Sequence, residues 1–201
     1  MHFAPASNFP DNYFSEESHF CQLYPLSIQQ LDKKHWSPLI VVNRAVKFLV
    51  DKPNVKILDI GSGTGKFCLA GAYYKPSVSF FGVEQREDLV DQAERVRKLL
   101  RLQNVYFKHH NFTQLNLKQY DHFYFYNSFF ENLDGTDKID NKIAYSNELY
   151  NYYSHYLYKQ FEEMPVGTRV ATYCSWDDEI PRGYKLVETQ LDNLLKFWTK
   201  T

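Results

Sequence analysis

Cysteine is scarce in this chain, and Cys21, Cys68 and Cys174 are scattered and odd in number. No CxxC pair or metal-ligand spacing joins them, which excludes a disulfide framework or thiolate metal site as the organising device. They read as small buried hydrophobes in a reducing compartment. No apolar run approaches the length of a membrane span. The opening stretch, "MHFAPASNFPDNYFSEESHF", has no cationic head followed by an apolar run, so no secretory signal is expected there. Neither sign of charge is in excess: 23 Lys and Arg meet 24 Asp and Glu, a formal net charge of −1. That balance gives no overall basic field for nucleic acid or an anionic membrane. Repeats and low-complexity tracts are missing too. A cytoplasmic protein without a membrane or metal partner is expected.

Aromatic residues are plentiful. Sixteen Tyr, sixteen Phe and three Trp make up 17% of the 201 residues. Such rings supply much of the apolar area of a core, and Tyr can keep its hydroxyl paired or wet. The length suits a single domain with a sizeable core.

Residues 1–34 are polar, aromatic and broken by Pro5, Pro10 and Pro25, and read as an irregular arm or lid. The main domain is expected over 35–201. "SPLIVVNRAVKFLV" (37–50) predicts a helix with Ser37 as N-cap and Pro38 in the first turn. A regular alternation follows. Strands are predicted at 55–60, 78–83, 104–110 and 122–127, with helices at 66–74 and 87–102. A helix at 148–163 is expected to face Leu149, Tyr152, Tyr153, Tyr156 and Phe161 inward. Strands at 168–174, 184–189 and 194–200 end the pattern. The alternation indicates an α/β/α sandwich on a mostly parallel sheet. The last two strands are too close together for a helical crossover, so they predict an antiparallel hairpin at the sheet edge.

"VKILDIGSGTGKF" (55–67) is the most informative stretch. A strand running into a glycine turn and a helix presents free backbone amides and the positive end of a helix dipole. Gly61, Gly63 and Gly65 let a ligand lie against the backbone. Their G-x-G-x-G spacing differs from the G-x-G-x-x-G of pyrophosphate-binding turns. Glu84 ends the second strand, where a carboxylate can accept from both hydroxyls of a ribose. Together they indicate a nucleoside carrying something small. His109 and His110 have no third ligand nearby, so no metal site is expected.

"ILDIGSGTGKF", "FFGVEQ", "NF" and "FYFYNSFF" together resemble the class I S-adenosylmethionine-dependent methyltransferases. The resemblance runs from Trp36 to the end. It implies a seven-stranded Rossmann-like sheet with a reversed hairpin and S-adenosyl-L-methionine as cofactor. By resemblance, Asp59, Gly61, Ser62, Gly63 and Gly65 would meet the methionine moiety, and Glu84 the ribose, with Gln85 beside the adenine. Asn111 and Phe112 would read and stack on the adenine, with the Asn111 carbonyl accepting from its amino group. Trp36, in "HWSP", would lie in a segment that closes over the cofactor.

Asn127 follows the fourth strand, where the family places residues that meet the transferred methyl. In "NSFF" (127–130), Asn127 would orient an acceptor nitrogen, while Phe129 or Phe130 walls the site. The stretch loosely resembles the Asn-Pro-Pro-aromatic motif of amino-methyltransferases, with Ser128 and Phe129 in place of the prolines. A local resemblance to non-SET histone lysine methyltransferases lies in 59–63, 82–84, 111–112 and 127–129. The expected reaction is therefore N-methylation of a protein side chain or small molecule, with nucleic acid disfavoured as acceptor. An NAD-dependent oxidoreductase, or a silent nucleoside-binding scaffold, are the alternatives.

Overall fold

The computed structural model describes residues 13–31 and 35–201. Expectations for residues 1–12 and 32–34 lie outside that range. Among the described residues two short helices, α1 (Glu17–Cys21) and α2 (Leu26–Gln29), precede α3 (Leu39–Leu49). The alternating core follows as β1 (Lys56–Ile60), α4 (Lys66–Tyr74), β2 (Ser79–Glu84), α5 (Glu87–Leu99), β3 (Val105–His109) and β4 (His122–Tyr126). After a long irregular stretch come α6 (Asn147–Glu162), β5 (Arg169–Tyr173), β6 (Tyr184–Gln190) and β7 (Leu195–Lys200).

The seven strands form one sheet in the order β3-β2-β1-β4-β5-β7-β6. All neighbours are parallel except β7, which runs antiparallel to β5 and β6. The order reverses between β1, whose next strand is β2, and β4 on its other side. In open parallel sheets that switch point leaves a crevice at the carboxyl ends of the strands.

Period-two alternation sends side chains to two cores. Ile57 of β1 and Tyr124 of β4 join the cluster under α3 and α4. Leu58, Ile60, Phe123 and Phe125 join the cluster with Tyr153, Leu157 and Phe161 of α6. Phe67 stacks on Tyr124, with ring centroids 4.0 Å apart and planes 4° from parallel. Phe14, Phe20, Leu23 and Tyr24 also belong to the first cluster. The described part of the arm is thus packed into the same core as α3 and α4.

Two local expectations are corrected. Ser37 does not cap α3, because its hydroxyl lies 2.6 Å from the buried hydroxyl of Tyr124. Pro38 occupies the N-cap position, and the Leu39 amide donates instead to the Glu17 carboxylate of α1. On α6, Tyr152 is 54% exposed, while Leu157 is buried. The helical stripe that faces the sheet runs through Tyr153, Leu157 and Phe161, four residues apart, and Tyr152 falls off it.

Phe20 is fully buried among Phe14, Tyr24 and Trp36. Phe20→Ala is expected to destabilise the protein by about 3–5 kcal/mol, read by urea unfolding followed by circular dichroism. A loss under about 1 kcal/mol would mean that the arm does not share the core.

Candidate functional site

A cavity of about 360 Å³ opens at the switch point, lined by residues from the ends of β1, β2 and β4. Its floor is the turn from β1 into α4, where Gly61, Gly63 and Gly65 take left-handed φ values of +77°, +52° and +85°. The three have different physical duties. A Cβ on Gly61 would collide with Ser128, and one on Gly65 would sit 2.5 Å from the Phe107 ring. A Cβ on Gly63 would meet nothing within 4 Å. Gly61 and Gly65 are therefore packing glycines, whereas Gly63 leaves an open cradle.

Glu84 closes one end of the cradle. It is only 6% exposed, yet three backbone amides donate to it. Gly63 N–H donates to Oε2 at 3.1 Å, and Gln85 and Arg86 N–H donate to Oε1 at 2.9 and 3.0 Å. Burial pushes its carboxyl above the usual range, while Arg86 and the amides oppose that rise. Asp59, at the end of β1, is buried as well. Burial, and then the nearby Glu84 charge, raise its carboxyl well above the usual range.

Arg86 is among the site residues that the sequence did not reveal. Its guanidinium is buried, and it contacts Glu84 at 3.4 Å, Glu131 at 2.6 Å, Asp140 at 3.4 Å and the Tyr145 hydroxyl at 2.7 Å. Burial alone would lower its pKa; Glu131 and Glu84 together raise it, so the cation is secure. The fork clamps the irregular stretch between β4 and α6 over the end of β2. Only the position of Arg86, two residues after Glu84, hinted at this. Its other partners, Glu131, Asp140 and Tyr145, come from a loop without periodicity.

Of the predicted residues, Trp36, Asp59, Gly61, Ser62, Gly63, Glu84, Gln85, Phe112, Asn127, Phe129 and Phe130 line the cavity. Gly65 and Asn111 do not. Asn111 is committed locally: its carbonyl oxygen accepts from the Thr113 amide and hydroxyl at 3.0 and 2.9 Å. Its amide nitrogen donates to Gln85 Oε1 at 3.0 Å and to the Tyr153 hydroxyl at 2.8 Å. Asn111 thereby orients Gln85, which does line the cavity. Phe112 stacks on Phe129 with ring centroids 4.9 Å apart, and both are buried.

Asn127 has φ +43°, a left-handed conformation uncommon outside glycine, directly after β4. No hydrogen bond engages its side chain among the described residues, and it lines the cavity. Cys174, directly after β5, is also left-handed at φ +52° and also lines the cavity. Strained backbone clusters at working sites because the surrounding fold holds it there. Among the described residues, no cluster of three or more His, Cys, Asp or Glu could hold a metal ion. None of the described helices is long and apolar enough to cross a membrane.

The residues fit the cofactor named by resemblance. Ser62 Oγ and Thr64 Oγ1 are buried without hydrogen-bond partners among the described residues, a costly state that a ligand would relieve. Gly63→Ala is expected to destabilise the fold by about 1–2 kcal/mol, the cost of a left-handed Cβ, and to weaken S-adenosylhomocysteine binding about tenfold or more. Gly65→Ala should lose far more stability, because its Cβ strikes Phe107. Calorimetry and thermal melts together check this; binding unchanged in folded Gly63→Ala would contradict the cradle.

A family model described as a methyltransferase domain matches residues 51–153, just over half of the chain. A tRNA (guanine-N(7)-)-methyltransferase of Synechococcus sp. (strain JA-3-3Ab) is 50% identical over 50 residues, 25% of this chain and 21% of that protein. The chain spans 21% to 27% of the length of the curated relatives it matches. The solved magnesium protoporphyrin IX methyltransferase from Synechocystis PCC 6803 with bound SAM superposes with a TM-score of 0.58, covering 94% of each chain at 16% identity. An RNA methyltransferase from Salinibacter ruber in complex with S-adenosyl-L-homocysteine superposes at 0.56, covering 82% of this chain and 93% of its own at 19% identity. At such identities the superpositions speak for the fold. With the strand order, the glycine cradle and Glu84 in place, the family model completes the argument: the chain belongs to the class I S-adenosylmethionine-dependent methyltransferase family.

Proposed function

We propose that this chain transfers the methyl group of S-adenosylmethionine to a nitrogen atom of a protein side chain or a small molecule. Asn127 carries the reading: a strained residue directly after β4, on the cavity wall, with its amide unengaged. The bound donor supplies an electrophilic methyl on a sulfonium and its own leaving group. What remains for the protein is to hold, align and dehydrate.

Glu84 and Gly63 would hold the ribose end of the donor, with Phe112 and Gln85 around the base. Ser62 and Thr64 would meet the amino-acid end. An attacking amine must be neutral, with its lone pair aimed at the methyl. The Asn127 carbonyl can accept from an N–H of that amine and fix its direction. Phe129 and Phe130 supply apolar walls that exclude water. Tyr126, also on the wall, is pushed up to about 12 by burial and stays protonated near neutrality, so it supplies no phenolate base.

Family membership sets aside the oxidoreductase alternative. The tRNA-directed relatives share 25% to 30% of this chain, and the net charge of −1 offers a polyanion no overall attraction. RNA is therefore an arm of the test. The full chain is incubated with methyl-labelled S-adenosylmethionine and, separately, lysine- and glutamine-containing peptides, small amines and tRNA, and the products are hydrolysed and identified. The expected product is an N-methylated peptide or small amine, with Asn127→Ala lowering kcat about 100-fold at unchanged donor affinity. Oxygen- or carbon-methylated products, or label found in tRNA alone, would overturn the proposal. Donor binding without transfer to any acceptor would favour the silent scaffold.

A further inference from the structure

A second cavity, of about 590 Å³, shares no lining residue with the first. Arg44, Lys47 and Phe48 of α3 line it from one side, and their i, i+3, i+4 spacing puts them on a single helical face. Phe197 of β7 and Glu188 and Gln190 of β6 line it from the sheet. Register explains that grouping. Glu188 pairs with Phe197 and Gln190 with Leu195, so their side chains share the face on which α3 packs. Arg169, the first residue of β5, completes the groove at the amino end of that strand, whereas the donor cavity sits at the carboxyl ends.

Among the described residues, three cations of this lining meet one acid, Glu188. Glu188 Oε1 accepts from the side-chain amide of Gln190 at 2.6 Å and pairs with none of the cations. Arg44, which is half-buried, and Lys47 have no ion-pair or hydrogen-bond partner among the described residues. Arg169 is fixed in place: its Nη1 donates to the Phe48 carbonyl at 2.7 Å, and its guanidinium carbon lies 5.3 Å from the centroid of the Phe48 ring. Its Nε is 4.0 Å from Asp51, a carboxylate that already sits 3.0 Å from His122 Nε2. The Nη2 donors of Arg169 are left over.

Like charges gathered in one groove raise the local potential and draw in an anion. Guanidinium forks match phosphate oxygens in pairs, and an ammonium adds a point charge. A carboxylate would answer one of these cations, whereas a phosphate monoester carries close to two negative charges and answers the set. Phe48, backed by Phe197 with ring centroids 4.7 Å apart, offers an apolar surface beside them. The groove is bounded by β6 and the net charge is −1, which favours a compact ligand over a nucleic-acid chain. We infer that this groove binds a small phosphate ester, independently of the methyl donor. Arg44, Lys47 and Arg169 take the phosphate, and Phe48 takes the organic group.

Two-dimensional NMR on the full chain tests this, with phenyl phosphate, inorganic phosphate and phenol as probes in a chloride buffer. Phenyl phosphate is expected to shift the amides of Arg44, Lys47, Phe48, Arg169, Glu188, Gln190 and Phe197 saturably, and to bind about tenfold or more tighter than phenol. It should also bind tighter than inorganic phosphate; equal affinity would overturn the ester. The double variant Arg44→Gln, Lys47→Gln should weaken phenyl phosphate about tenfold or more. Glu188→Gln, which removes the acid of the lining, should strengthen it about two- to fivefold. Spectra of both variants away from the groove should match the wild type, which separates loss of the site from loss of the fold. Shifts confined to other parts of the protein, affinity unmoved by either variant, or binding of a short oligouridylate without binding of phenyl phosphate would each overturn the inference.

Discussion

The buried carboxylate of Glu84 is the contact on which the site depends. It accepts from amides on both sides of the cleft: Gly63 in the turn after β1, and Gln85 and Arg86 leading into α5. A carboxylate with this little exposure would be strongly disfavoured without such partners. The amides stabilise its charge and in return are fixed in direction. The glycine cradle therefore depends on a residue twenty-one positions away in sequence. Asp59 adds a second buried acid nearby; burial raises both carboxyls, and the Glu84 charge raises that of Asp59 further. That arrangement suits a ligand with hydroxyl and ammonium donors and disfavours a pyrophosphate.

Arg86 carries the effect outward. By holding Glu84, Glu131, Asp140 and Tyr145 at once, it links the strand end to the loop that completes the far wall. A side chain with five fixed N–H donors suits such a junction, and lysine would not replace it. On the other side, the arm closes the site through Tyr24 and Glu17, and Trp36 lines the cavity beside them. The cavity is thus enclosed by two segments outside the alternating core, each fastened by a buried cation.

Much of the alternating core was legible in the sequence. Strand and helix positions from β1 to β7 follow from hydrophobic period and from the glycine turn, and α4 has the predicted bounds, 66–74. Local rules failed where tertiary contacts competed with them. Ser37 has the chemistry of a cap, but a buried tyrosine hydroxyl claims it. Tyr152 resembles its neighbours on α6, and aromatic composition does not distinguish an inward ring from one facing water. Eleven of the thirteen predicted site residues line the cavity. Gly65 supports the turn from below, and Asn111 acts one step back, on Gln85. Arg86, Glu131, Tyr145 and Lys66 were not legible, because the contacts of Arg86 with Glu131 and Tyr145 and of Lys66 with Glu17 join residues 45 to 59 positions apart and no spacing rule connects them.

The account stands on Glu84 gripping the donor while it holds the cradle in shape. Titrating S-adenosylhomocysteine into the wild type and Glu84→Ala by isothermal calorimetry tests that most directly. The account predicts saturable 1:1 heat for the wild type and at least about a hundredfold weaker binding for the variant. Equal affinity in the two proteins, with both folded, would contradict it.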